Sequence, residues 1–314
     1  MDFFPAKILL ATDGSEESAL ALKMSVDLAE STGSELHAVM VEELPYAYDA
    51  PTVREPTSGF FTELHERARK RLDRELERVR SAGGTVAEAH PRVGTAAREV
   101  VALAEEMGAG LIVVGSCGLG GLRRALTGSV SLGVVRHAHC SVIVVRGSGD
   151  REEERHMPGK VLLTYDGSKE ATAAAELAVE IANATGSVLH LLHVVALERY
   201  LPPLAYAPYE EAEAWEAWEA GIERDEERTR SFVEGQAQRM EAQGARVAEA
   251  HLAFGKPEEE IVRLAENLNA QLVIVGSRGR GGLRRALLGS VSDSVVRHAH
   301  CPVMIVRRAE DRAT

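Results

Sequence analysis

The strongest constraint on this chain is that it repeats itself. KILLATDGSEESALALKMSVDLA, beginning at Lys7, aligns with KVLLTYDGSKEATAAAELAVEIA, beginning at Lys160, so Asp13 corresponds to Asp166 at an offset of 153 residues. GSCGLGGLRRALTGSVSLGVVRHAHCSVIVVR, beginning at Gly115, aligns with GSRGRGGLRRALLGSVSDSVVRHAHCPVMIVR, beginning at Gly276, at an offset of 161 and with roughly three quarters of positions identical. A period this long signals domain duplication, not a solenoid of short repeats. The chain of 314 residues suits two domains at about 150 residues each. The expected division is residues 1–146 and 160–308, joined by a linker over 147–159, GSGDREEERHMPG, whose charge and glycine content suit a boundary. The offset grows by 8 residues between the matched ends, which places an insertion in the second copy, in the Pro- and Trp-containing stretch after Val195.

Each copy alternates short apolar runs with amphipathic segments. Lys7 to Ala11 ends at Thr12-Asp13-Gly14-Ser15 and reads as a buried parallel strand. Ser15 is a suitable N-cap for the helix that follows, which should stop near Thr32-Gly33. A strand to about Val41, a charged helix from Thr62 to Arg80, a strand from Val86 to Val93 and a helix from Ala96 to Met107 come next. The buried strand Leu111 to Gly115, a glycine-rich loop, a helix from Ser129 and the strand Val142 to Val145 complete the copy. The second copy repeats this order from Lys160 to Arg307. Strictly alternating strands and helices predict an α/β fold with a parallel sheet, right-handed crossovers and helices on both faces. Ligands of such sheets bind beyond the carboxyl ends of the strands, where strand order reverses. Asp13 and Gly115 both lie just past strand ends and can meet there.

Composition excludes several classes. No apolar run approaches the roughly 18 residues of a membrane span. The first residues lack the basic and apolar regions of a signal peptide, so a cytoplasmic location is expected. A net charge of −12 opposes broad contact with nucleic acid, yet leaves room for a small phosphorylated ligand held by backbone N–H groups. Three cysteines, Cys117, Cys140 and Cys301, are too few and odd in number for a disulfide framework.

The chemistry sits in the loop. Copy one reads Gly115-Ser116-Cys117-Gly118, nine residues, then Gly128-Ser129; copy two reads Gly276-Ser277-Arg278-Gly279, nine residues, then Gly289-Ser290. Glycines let a backbone approach phosphate, and Gly128-Ser129 opens a helix whose N–H groups and dipole favour an anion. A lone pair of such glycines is usually just a turn. The whole pattern, twice and each time after a buried strand, argues for phosphate. It is not a P-loop, because neither copy ends in Gly-Lys-Ser/Thr.

The pattern G-x-x-G-x9-G-S, with LLATDGS or LLTYDGS on the first strand and HAHC-[SP]-V near the end, resembles the universal stress protein family over nearly the whole chain, as a tandem member. The resemblance implies two tandem open five-stranded parallel sheets of order 3-2-1-4-5, Rossmann-like in form. It implies a stress-response regulatory protein binding ATP, or another adenine nucleotide, in each domain. The alternatives are a slow ATP hydrolase or a nucleotide-activating enzyme of the adenine-nucleotide α-hydrolase-like group, and a pseudo-dimer without ligand. By resemblance Asp13 and Asp166 lie beside ribose and adenine, the backbones of Val41 and Val194 meet the adenine edge, and Gly115 and Gly276 line the ribose. Gly118, Gly128, Ser129, Gly279, Gly289 and Ser290 wrap the phosphates. Thr12 and Tyr165 precede the aspartates, and a role of Thr12 toward phosphate or Mg²⁺ cannot pass unchanged to Tyr165. Any Mg²⁺ is expected to be held largely by the ligand's own phosphates and water. No catalytic residue is assigned, since no nucleophile–base pair stands out.

Other features have plainer readings. His137-Ala138-His139-Cys140 and His298-Ala299-His300-Cys301 suit a helix end more than a metal, and no second ligand cluster is evident. Cys117 is replaced by Arg278 in copy two, which argues against a shared redox role, whereas Arg278 and Arg280 are placed to strengthen phosphate binding there. Arg123-Arg124 and Arg284-Arg285 suit solvent or an interface, with phosphate contact second. Trp215 and Trp218, three apart on a helix, suit packing or a lid over the second site. The last strands, VIVVR and VMIVR, are apolar edges that can pair with each other, making an intramolecular pseudo-dimer. Further homo-oligomers and a regulatory protein partner are expected without being identified.

Overall fold

A computed structural model describes residues 4–43, 58–116, 128–147, 159–196, 212–279 and 288–308. The first half runs β1 (Lys7–Ala11), α1 (Glu16–Thr32), β2 (Glu35–Glu43), α2 (Ser58–Ser81), β3 (Glu88–Gly94), α3 (Ala96–Met107), β4 (Leu111–Gly115), α4 (Ser129–His137) and β5 (Ser141–Val145). The second runs β6 (Lys160–Thr164), α5 (Lys169–Thr185), β7 (Val188–Val195), α6 (Ala212–Ala242), β8 (Arg246–Phe254), α7 (Pro257–Leu268), β9 (Leu272–Gly276), α8 (Ser290–His298) and β10 (Val303–Val306). Local chemistry accounts for the first turns. The Ser15 and Ser168 hydroxyls cap α1 and α5 by accepting from the N–H of Ser18 and Ala171. Gly33 and Gly186 end those helices in the left-handed region, which costs glycine little.

Within each half the strands take the order 3-2-1-4-5 and are parallel. The expectation of two separate sheets needs one correction. β5 and β10 pair antiparallel, with Val142 opposite Ile305, Ile143 opposite Met304 and Val144 opposite Val303, so a single ten-stranded sheet runs through the molecule. These two strands, read as edges of their own sheets, lie at its centre, and β3 and β8 are its edges. The physical reason is that each half leaves one apolar strand with an unpaired ladder, and the other half supplies the complement.

The sheet is covered on both faces. Leu10, Leu111, Leu163 and Leu272 pack with α1 and α5, and Leu9, Ile112, Leu162 and Val273 pack with α4 and α8. Both clusters continue across the junction. Two arginines fasten it. Arg146, just after β5, donates to the carbonyls of Val296, Arg297 and Ala299 at the end of α8. Arg307, its repeat equivalent, donates to the Val135 carbonyl near the end of α4 at 2.5 Å. On α8, the hydrogen bond from Arg297, aided by Arg136 from the other half, holds the Asp293 carboxyl below the usual carboxylate range.

α6 has 31 residues where α2 has 24, which locates part of the extra length in the second copy. Trp215 and Trp218 fall on α6, but their side chains lie outside the described residues. No described helix is long and apolar enough to cross a membrane.

Candidate functional site

The carboxyl ends of β1 and β4 meet as the alternation requires. A Cβ on Gly115 would lie 3.0 Å from both the Glu17 carbonyl carbon and the Ser18 nitrogen, so the end of β4 abuts the first turn of α1. Gly276 stands in the same relation to Glu170 and Ala171 at 3.1 Å. Glycine here serves close packing of strand against helix. Val41 lies two residues past Val39, the last β2 residue in register with β1, and Val194 lies two past Leu192 on β7. β2 and β7 therefore extend beyond the ends of β1 and β6.

Asp13 and Asp166 shape the turns that follow β1 and β6. Asp13 Oδ1 accepts from the Ser15 N–H at 3.0 Å, and Asp166 Oδ1 accepts from the Ser168 N–H at 2.9 Å. In the second half the glycine loop comes onto this aspartate: a Cβ on Gly279 would stand 2.8 Å from Asp166 Oδ2. The two ends of each loop are held together. The Gly128 N–H donates to the Ser116 carbonyl at 2.6 Å, and the Gly289 N–H to the Ser277 carbonyl at 2.8 Å. Ser131 and Ser292 reinforce the closure through hydroxyls donated to the carbonyls of Ser116 and Gly276. α4 and α8 then start at Gly128 and Gly289 without a side-chain cap, and Ser129 and Ser290 are exposed at their first positions. Their first-turn N–H groups have no partner within the helix. The repeated loop thus brings Gly279 onto Asp166, Gly276 onto the first turn of α5 and Gly289 onto Ser277, and in the first half Gly115 meets the first turn of α1 and Gly128 meets Ser116. Cys117, Gly118, Arg123, Arg124, Arg280, Arg284 and Arg285 lie outside the described residues.

Profile and relatives decide the family. The profile of the universal stress protein family matches residues 6–146 and again 157–307. The chain belongs to the universal stress protein family. A universal stress protein of Mycolicibacterium smegmatis is 34% identical over 199 residues, covering 63% of this chain and 61% of that relative. Universal stress protein Rv1996 of Mycobacterium tuberculosis is 34% identical over 205 residues, covering 65% and 60%. The matched stretch thus spans about 60% of the length of these curated relatives. A crystal structure of a universal stress protein from Archaeoglobus fulgidus has the same fold with a TM-score of 0.67, at 24% identity, covering 98% of this chain and 97% of that one.

In this tandem universal stress protein the residues before the aspartates are held by different partners in the two halves. Thr12 is buried, and its hydroxyl lies 3.2 Å from Ser18 Oγ and 3.3 Å from Glu75 Oε2. Tyr165 is buried as well, its ring stacked on Phe232 at 5.5 Å between centroids. Arg278 pairs with Glu170 on the first turn of α5, at 3.4 Å. Its charge is already shared with a carboxylate, which weakens the expectation of a strong extra phosphate contact.

Sequence reasoning missed what the long helices contribute. Arg71 of α2 donates to the Asp13 carbonyl at 2.8 Å and to Glu42 at the end of β2 at 2.9 Å. Glu75, one turn on, is buried against Thr12 and takes a hydrogen bond from Arg78 at 2.9 Å. Counted at the later offset of 161, Phe232 and Gln236 replace Arg71 and Glu75 in the second half. Phe232 stacks on Tyr165, meets His193 edge-on and stands 2.9 Å from a Cβ built on Gly167. The rim is thus charged in one half and aromatic in the other. Only the shared offset hinted at this pairing, since α2 and α6 lie far from β1 and β6 in sequence.

His139 pairs with Glu105 at 2.7 Å, beside the buried Cys140. Burial pushes the Cys301 thiol up to about 12, so it stays protonated at neutral pH.

Proposed function

We propose that each half binds an adenine nucleotide, ATP foremost, at the carboxyl ends of its first and fourth strands, and that occupancy regulates the protein's part in a stress response. The observation that carries this reading is the meeting of Gly279 with Asp166 beside the uncapped start of α8. A side chain at Gly279 would fill the space against the carboxylate, whereas glycine leaves it open. First-turn N–H groups of α8 are donors of the kind that hold phosphate. Asp166 would face the ribose, the open side of β7 at Val194 the adenine, and Gly289 and Ser290 the phosphates. Asp13, Val41, Gly128 and Ser129 would do the same in the first half. Mg²⁺ would arrive with the nucleotide.

Binding with little turnover is the expected behaviour, because Asp13 and Asp166 already accept hydrogen bonds from their own turns and no other carboxylate is assigned to activating water. Calorimetry of the full chain with ATP, ADP and AMP, with and without Mg²⁺, together with chromatography of nucleotide released on denaturation, checks the reading. Two sites per chain are expected. Gly279→Ala should weaken the second about tenfold, equivalent to about 1.4 kcal/mol, while leaving the first unchanged. No binding at millimolar nucleotide would reject the proposal, and turnover near about 10 s⁻¹ would favour the enzyme alternative.

A further inference from the structure

The second and third strands of each half carry a cluster that the nucleotide reading does not use. On β2 and β3, His37 lies in register with Glu88 and Val39 with His90. On β7 and β8, His190 lies in register with Glu249 and Leu192 with His251. Paired residues on parallel strands, and residues two apart on one strand, point to the same face. All three polar side chains of each half therefore share one face at an outer end of the ten-stranded sheet. One ligand atom from each of the three lies within 4.8 Å of the others, in both halves.

We propose that His37, Glu88 and His90, and separately His190, Glu249 and His251, form two divalent-metal sites of the His₂–carboxylate type that suits Zn²⁺. The spacing of the nitrogens is the first support. Two imidazole nitrogens bound tetrahedrally at the usual zinc distance of about 2.0–2.1 Å stand about 3.3–3.4 Å apart. His37 Nδ1 and His90 Nε2 are 3.4 Å apart, and His190 Nδ1 and His251 Nε2 are 3.1 Å apart. The nitrogens already stand at the separation an ion needs, and each ring would turn so that its lone pair points to one side of the nitrogen–nitrogen line, where the ion would sit. The carboxylates come next. Glu88 Oε2 is 3.9 Å from His90 Nε2, the nitrogen that faces His37. Glu249 Oε1 is 3.6 Å from His251 Nδ1, the nitrogen turned away from His190, so Glu249 has further to move to reach an ion between the two rings. Both glutamates are largely exposed and can swing onto an ion by rotamer change, whereas His37 and His190 are buried and fixed. An exposed rim leaves a fourth position for water, as in open zinc sites.

Repetition is the second support. The three residues recur although the two copies differ by the 8-residue insertion, so His37 maps to His190 at one offset and Glu88 and His90 map to Glu249 and His251 at the other. A simple histidine–histidine hydrogen bond would account for the nitrogen pair but not for a carboxylate beside it in both halves. The sites are distinct from the nucleotide crevice. His37 precedes Val41 by four residues, which along a strand is about 13 Å.

The two sites are not equal. Glu35 Oε2 lies 3.5 Å from His37 Nε2, where it can take the N–H of a metal-bound ring, an outer contact that strengthens metal ligation. Val188 stands at the equivalent position of β7, opposite Lys160 as Glu35 is opposite Lys7. The first site should therefore bind more tightly.

The test uses the full chain, stripped by a chelator and titrated with Zn²⁺ against a chromophoric competitor. Two ions per chain are expected in the wild type, one in His90→Gln, and none of comparable affinity in His90→Gln/His251→Gln. Glu35→Gln should weaken only the first site, by about tenfold. Failure of the wild type to hold Zn²⁺ at micromolar concentration would overturn the proposal, as would full stoichiometry in the double variant. Anomalous scattering from Zn²⁺-soaked wild-type crystals reads the same question without a variant. Peaks beside His90 and His251 support the assignment, and peaks confined to other histidines reject it.

Discussion

At the scale of single residues, glycines that look alike in the sequence do different work. Gly115 and Gly276 sit where the fourth strand of each half meets the first turn of its leading helix, and the atoms a Cβ would touch are backbone that cannot swing aside. Gly279 faces a carboxylate instead, the far end of a side chain. Gly115→Ala should therefore cost stability by about 1–3 kcal/mol, as overpacking of a close contact does. Gly279→Ala should cost far less stability while weakening nucleotide at the second site. Urea unfolding of the two variants, with no nucleotide present, checks the order. Equal stability losses would mean that Gly115 is not held by packing. Asymmetry at residue scale also separates the two crevices: Arg71 braces the Asp13 turn by a charged hydrogen bond, and Phe232 covers the Gly167 turn by aromatic contact.

Elements meet at the junction through their ends. The last residues of α8 present carbonyls with no partner inside the helix. Arg146 reaches them from the other half, with its guanidinium spread over three acceptors. Arg307 does the same service for α4. The exchange is reciprocal because the pairing of β5 with β10 is antiparallel, which relates the halves by a pseudo-two-fold axis. Hydrogen bonds to a charged group contribute about 1.5–3 kcal/mol, so Arg146→Ala should lower stability by about that amount. Arg146→Lys should not restore it, since a compact ammonium cannot span three carbonyls as the planar fork does. Chemical denaturation of the three proteins tests both statements, and full rescue by lysine would show that charge alone matters.

For the whole molecule, the consequence of the junction is that neither half is closed without the other. β5 is an all-buried strand whose outer ladder is satisfied by β10. A chain of residues 1–146 alone would expose that ladder together with the apolar groups beside it, and such edges pair. It should therefore sediment as a dimer in the ultracentrifuge, held by β5 against its own copy, while the full chain satisfies the same edge internally. A monodisperse monomer of residues 1–146 would show that this edge does not need a partner. The two histidine–glutamate clusters straddle the outer strand pairs, β2 with β3 and β7 with β8, at opposite ends of the sheet.

Much of this was legible in the chain itself. The apolar runs, the Ser15 and Gly33 signals at the ends of α1, and the glycine loop before Gly128-Ser129 all act over a few residues, where propensity and periodicity decide. The repeat exposed the duplication, and the resemblance supplied the strand order of each half. The tertiary structure decided what depends on residues distant in sequence. It turned Thr12 and Tyr165 inward onto partners from α2 and α6, and it gave Arg278 to Glu170. It also merged two sheets into one and set His37 against His90, 53 residues further along the chain. The repeated Glu-x-His of β3 and β8 was a visible signal for that last pairing, but only strand register shows which histidine it faces. Local sequence selects a residue's backbone conformation. Which side chains meet is settled when burial of the apolar faces brings separate elements into one packing, and no short window of sequence contains that information.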